Sequence, residues 1–237
     1  MKHICRILFA LAIVCGWAPA AVADDDDPVL NPYVCGSLTN AYGPFDYNNP
    51  PPNAISLVEG AHYTPGIEHL NAGKMVDELG PIWGEFDYTL RALPNHPGAL
   101  QAIDRLSMRL KSDKPPRAQR SAHCYYIRAI AFKPTDGMVR MLYGMYLLRR
   151  DKSKEAIVQF DKAEKYAGEN ANLHYNIGLA YFQVKDYPKA MEHAKKAYDM
   201  GFPLPGLRNM LEKAGKWQAD SNATAETTRA APAETVK

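Results

Sequence analysis

The chain predicts an all-α fold: a helical solenoid of about four helix pairs, closed by a C-terminal capping helix and preceded by an extended N-terminal strap. Three observations carry this. Gly144, Ala156, Lys162 and Ala163 recur 34 residues later as Gly178, Ala190, Lys196 and Ala197. Apolar residues within both segments return at helical period. Prolines and short polar residues punctuate the chain where those periodic runs begin and end. Most of the recurring identities are small residues, which marks a packing constraint on helices that must approach closely.

In chain order, Lys2 and Arg6 flank an apolar run from Ile7 to Trp17, and Ala21-Val22-Ala23 offers small residues for cleavage before Asp24. That is the pattern of a secretory signal peptide over residues 1–23. The run falls short of the ~20 residues a membrane-spanning helix needs. Val14 ahead of Cys15 argues against lipid attachment. The mature chain is expected to be exported and soluble, with no integral membrane segment. Asp24 to Asp27 reads as a solvated spacer. Residues 24–63 form the strap: Tyr33, Tyr42, Phe45, Tyr47 and Tyr63 stand among Asn, Gly and Pro, with Pro50-Pro51-Pro52 holding an extended course.

The solenoid spans 64–217. Thr64-Pro65 has the form of an N-cap followed by an N1 proline. A helix from Trp83 to Leu93 ends at Pro94-Asn95-His96-Pro97. The next runs over 97–111, with His96 as N-cap, Pro97 at N1, and Leu100, Ile103, Leu106 and Leu110 on one face. A linker, Ser112 to Pro116, makes this unit longer than the repeat; Ala122, Tyr126 and Ala129 mark its second helix. The best repeats are 137–170 and 171–204. Residues 138–149 are apolar all round, as in a helix covered on most sides. Residues 154–166 bury one face through Ala156, Ile157, Phe160 and Ala163, with Ser153 as N-cap. A helix over 171–184 follows, then Asp186 as N-cap with Pro188 in the permissive first turn. Gly144 and Gly178 are placed at close crossings opposite Ala156 and Ala190, where small side chains allow the near end of the ~8–10 Å range of helix separations. Residues 205–217 form the cap, with Leu207, Met210 and Leu211 on its apolar side. Beyond Gln218 apolar periodicity stops, and 218–237 is expected to be a disordered tail.

Without Lys2 and Arg6, the 26 basic residues equal the 26 acidic ones. A neutral chain lacks the electrostatic footprint of nucleic-acid binding. Arg149-Arg150 and Lys195-Lys196 read as solvated helix ends. Cys35 and Cys124 are the cysteines outside the leader, and two in an oxidising compartment imply one disulfide. Ala122 faces its partner helix, so Cys124 is directed to the outer surface, where the strap can cross.

A 34-residue helix–turn–helix unit with these small residues resembles the tetratricopeptide repeat family. The copy His174-Tyr175-Asn176-Ile177-Gly178-Leu179-Ala180-Tyr181, with Tyr187-Pro188-Lys189-Ala190 and Ala197, is similar throughout; Tyr143-Gly144, Ala156, Phe160 and Ala163 form a looser copy. Tyr33-Val34-Cys35-Gly36 through Gly43-Pro44-Phe45-Asp46-Tyr47, with Asp87 to His96 and Pro203 to Asn209, resembles exported tetratricopeptide proteins of Gram-negative bacteria. The resemblance implies a periplasmic, non-enzymatic scaffold that holds a protein or peptide, either an apolar helix or an extended segment. It also implies a concave groove formed by first helices: Met138, Met141, Met145, Leu148 and Arg149 in one repeat, then Asn172, Tyr175, Leu179, Phe182 and Gln183. Asn176 matches a position that grips a C-terminal carboxylate in some members, but the basic partners are missing. Oligomeric state is left open.

The sequence carries no nucleophile elbow, phosphate loop or paired metal-binding motif, so no catalytic residue, cofactor or metal is assigned. The rival reading is an envelope enzyme or enzyme subunit using His62, His69 or His96 with the Asp-rich leader. His62 and His69 are separated by Pro65-Gly66 and cannot share one helix.

Overall fold

The computed structural model describes residues 35–71 and 79–217. The expected signal peptide, the Asp-rich spacer and the tail lie outside those residues. Among the described residues the fold is all helical: α1 (Ala54–His62), α2 (Pro65–Glu68), α3 (Leu79–Ala92), α4 (Pro97–Leu110), α5 (Ala122–Phe132), α6 (Gly137–Leu148), α7 (Ser153–Ala167), α8 (Ala171–Gln183), α9 (Tyr187–Asp199) and α10 (Gly206–Lys213). None of these is long and apolar enough to cross a membrane. The most extensive contacts pair α6 with α7 and α8 with α9, the two best repeats.

Side-chain caps set the helix starts. Ser121 Oγ accepts from Cys124 N at 3.1 Å, Asp136 Oδ1 from Val139 N at 3.1 Å, and Asn170 Oδ1 from Leu173 N at 3.0 Å. His96 and Asp186 cap α4 and α9 as expected, and Pro97 and Pro188 sit in the first turns. Each such bond satisfies an amide that the helix cannot. Ser153 differs from expectation: it is the first helical residue of α7, behind Lys152, which makes no side-chain cap.

Two crossings depend on glycine. A Cβ on Gly144 would overlap the Phe160 ring, and one on Gly178 would lie 2.5 Å from Leu207 Cδ2 and 3.2 Å from Ala190 O. Gly178 therefore faces Ala190 as expected and receives the cap as well, whereas Gly144 faces Phe160, one turn beyond Ala156. Leu207 and Leu211 are fully buried and seat α10 on the last pair, but Met210 is 40% exposed, not on the apolar side where helical spacing put it.

The strap is extended only to Asn53, which adopts φ 62° before α1. The helix at 54–62 corrects the expectation of an irregular course to residue 63. Its buried positions, Ala54 and Val58, amount to one turn, too short for a visible period. Val58 packs with Ala92 and Leu93 beneath Tyr42, Phe45 and Tyr47. Upstream, Cys35 is disulfide-bonded to Cys124. Arg128, 2% exposed, donates to the carbonyls of Gly36 and Ser37. Phe45 N donates to Ala92 O at 2.8 Å, Asp46 pairs with Lys133, and Asn95 donates to Asp46 and Asp136. These ties run along α3, α5 and the α5–α6 turn.

Two outcomes are expected. Gly178→Leu overpacks the α8–α9–α10 junction, at a typical cost of about 1–3 kcal/mol, read as a lower Tm. Replacing both Cys35 and Cys124 by serine opens a loop spanning 89 residues. The chain-entropy relation puts that loss at about 4–5 kcal/mol, measured by chemical denaturation against the oxidised protein.

Candidate functional site

The first helices of successive units, α4, α6 and α8, lie side by side, because each packs against the next as well as against its own partner. This row is the surface on which the groove residues were expected. Met138, Met145, Leu179 and Phe182 are half-buried apolar side chains along α6 and α8, and Asn172 and Gln183 are exposed beside them. Phe182 rests edge-on against Tyr187, with ring centroids 5.4 Å apart. Tyr175 is half-buried and stacked on Phe202 at 4.1 Å, which ties it to the connection leading into the cap.

Two expected groove residues are placed otherwise. Met141 is 2% and Leu148 7% exposed, so both belong to the core. A helix that is apolar all round gives no spacing signal for which side is covered, and α6 is covered by α4, α5, α7 and α8. Arg149 is exposed and held by an ion pair. Its guanidinium donates to Asp104 on α4, a carboxylate 1% exposed, which Arg150 reaches from the other oxygen at 2.7 Å. Arg150 also lies over the Tyr146 ring at 3.6 Å. The pair read as solvated helix ends thus neutralises a buried charge between two repeats, which a buried carboxylate requires.

A cleft of about 600 Å³ opens beside the N-terminus of α4, walled by Tyr47, Glu59, Tyr63, Glu68 and His96. His96 Nδ1 accepts from Ala99 N, so Nε2 carries the proton and donates to Glu59 Oε1 at 3.1 Å. Burial pushes His96 down to about 4, and it stays neutral. Burial, with the charge of Glu68 added, raises Glu59. Two carboxylates on one cleft favour a cationic group over an anion.

The histidines of the rival enzyme reading are not gathered into one centre. His62 Nδ1 bonds Glu85 at 2.6 Å and stacks on Tyr88, His69 bonds the carbonyl of Pro65, and His96 caps α4. The group of potential metal donors among the described residues is a different one, Glu164, His174 and His193. Sequence reasoning missed it. The signal was present as two histidines on consecutive helices, but only folding brings positions 19 residues apart into contact.

No family model and no curated protein matches the chain. Among solved structures it is similar to a protein from Pseudomonas aeruginosa, pilF, at 18% identity over 68% of this chain and 71% of that one, with a TM-score of 0.47. It is also similar to a mutant of MamA, at 16% identity over 62% and 93% with a TM-score of 0.37. A third similarity is to YrrB, a TPR protein with an unusual peptide-binding site, at 20% identity over 69% and 98% with a TM-score of 0.34. These are likenesses in helical arrangement at low identity, and the peptide-binding site is YrrB's.

Asp104→Ala leaves Arg149 and Arg150 without their shared carboxylate. Both guanidiniums keep access to water and Arg150 keeps Ser107 and Asp113, so the expected loss is below the about 3–5 kcal/mol of breaking a fully buried pair, measured by denaturant unfolding. His96 sets a pH dependence. Its folded value of about 4 lies below the ~6.5 of an unfolded histidine, so the unfolded chain binds the extra proton between them. Its contribution is therefore complete above pH ~6.5 and lost as pH falls towards 4, about 3 kcal/mol in all. Glu59 acts in the opposite sense, so the measurement is the difference in stability–pH slope between the wild type and His96→Asn, which keeps a capping side chain.

Proposed function

We propose that the protein is a non-enzymatic scaffold of the bacterial cell envelope, acting after export, and that it holds a protein or peptide segment along the α6–α8 face. The observation carrying this reading is the run of half-buried apolar side chains Met138, Met145, Leu179 and Phe182 on adjacent first helices, bordered by Asn172 and Gln183. Methionine is flexible and polarisable and adapts to irregular apolar partners. A surface of this kind suits an apolar helix or an extended segment docking by its side chains. The Cys35–Cys124 bridge supports an oxidising compartment, and with it export. The described strap is tied to α5, to the end of α3 and to the turn before α6, through Arg128, Ala92 and Asp136.

A photo-reactive amino acid at Phe182 in the native envelope should crosslink a defined partner, and one at Val158, 41% exposed on α7, should not. Equal capture from both positions would remove the groove from consideration. Met145→Ala with Phe182→Ala should abolish recovery of that partner by an affinity-tagged chain at a stability cost well below the 2–5 kcal/mol typical of a core deletion, because both side chains are only half-buried. Met141→Ala, a core truncation, should show the full loss of stability.

A further inference from the structure

We propose that Glu164, His174 and His193 form a transition-metal site, best matched to zinc, at the seam where α7, α8 and α9 meet. One donor atom from each can be chosen so that all lie within 4.8 Å of one another. The two imidazoles are 1% and 5% exposed, and their Nδ1 atoms are 3.0 Å apart. Glu164 closes the group from the solvent side, with its side chain 35% exposed.

The hydrogen bonds around the cluster fix the proton arrangement of the two neutral rings. His174 Nε2 faces the carbonyl of Gly168 at 2.8 Å. A carbonyl only accepts, so this nitrogen carries the proton and Nδ1 of the neutral ring is bare. His193 Nδ1 must then donate to it, which leaves His193 Nε2 bare as well. That nitrogen faces Glu164 Oε2 at 4.0 Å. Lys196 already pairs with Glu164 Oε1, and the 4.0 Å between His193 Nε2 and Oε2 leaves that second oxygen without a protein hydrogen-bond donor from the histidine pair.

The surroundings also match what metal ligands require. A ligating histidine usually donates its other ring N–H to a carbonyl or carboxylate, and a ligating carboxylate is itself hydrogen-bonded. Gly168 fills the first role. Lys196 fills the second, holding Glu164 Oε1 at 2.6 Å and leaving Oε2 for the metal. Two histidines and a glutamate are an established zinc donor set; bonds of ~2.0–2.2 Å in a tetrahedron place donors roughly 3.3–3.5 Å apart. The two Nδ1 atoms at 3.0 Å stand near that spacing, so a metal held by both would displace the proton they share and shift it to His193 Nε2, and Glu164, half exposed, can close by rotating its own side chain. Three protein donors leave a fourth position for water or for a group from outside.

The test uses the full chain, freed of metal with a chelator. Titration with zinc chloride should give saturable binding of one ion per chain and a higher Tm. Cobalt(II) should give the intense visible bands of a tetrahedral site. Glu164→Gln, a half-exposed change that leaves the helices intact by circular dichroism, should weaken zinc binding and change the cobalt spectrum. His193→Gln should abolish both. Lys196→Met should weaken binding about 10–100-fold, the usual effect of losing a group that orients a ligand. No saturable zinc binding by the wild type, or undiminished binding in both His193→Gln and Glu164→Gln, would overturn the proposal.

Discussion

Everything in this fold depends on how closely the second helix of each pair can lie on the first. Glycine in a helix interior costs about 1 kcal/mol relative to alanine, and the chain carries that cost at Gly144 and again at Gly178. The gain is packing. Phe160 lies directly over Gly144, with Tyr181 of the next unit 6.0 Å from its ring. The residue one repeat after Phe160 is Ala194, too small to fill the equivalent space over Gly178. Leu207 from the cap enters it instead. One spacing rule thus produces two junctions: inside the stack a repeat fills its own gap, and at the end the gap is left for α10 to close.

Polar contacts add a second level of organisation, because charges that leave water must be paired. Asp104, Arg128 and Arg140 are each no more than 2% exposed, and each joins segments distant in sequence. Asp104 receives Arg149 and Arg150 across two units. Arg140 donates to Gln159 and to the Pro134 carbonyl, holding α6 against α7 and its own entry turn. Arg128 satisfies strap carbonyls that no sheet or helix would pair. The strap is accordingly fixed on the α3–α5 side by an ion, a disulfide and an asparagine network, and its aromatic residues seal the small cluster around Val58.

Helix positions were legible in the residues because they rest on local chemistry. Caps at His96 and Asp186 and first-turn prolines act within four residues of themselves, and the boundaries they set agree with the structure to within about a residue. The cysteine pairing was legible for a different reason, since only two candidates lie outside residues 1–23. What could not be read were outcomes that depend on which neighbour arrives. Met141 and Met145 share a helical face, yet the first is buried and the second half-buried. Arg149 is exposed at a helix end, and nothing in its local sequence announces Asp104, 45 residues away. The pairing of His174 with His193 belongs to the same class. Periodicity gives the direction of a side chain around its own axis but not the identity of what stands opposite.

α8 shows how these levels combine. On one side, His174, Ile177, Gly178 and Tyr181 are buried, and on the other Tyr175, Leu179 and Phe182 remain half-buried on the proposed binding face. Rotation of α8 about its axis would drive Gly178 into Leu207 or Ala190 and pull His174 from both His193 and Gly168. The buried side therefore fixes the angle at which the other side is presented. Binding costs less when the surface is already ordered, because fewer side chains and no backbone must be immobilised on contact. Small residues, a histidine pair and a docked cap together fix the angle at which α8 carries Tyr175, Leu179 and Phe182.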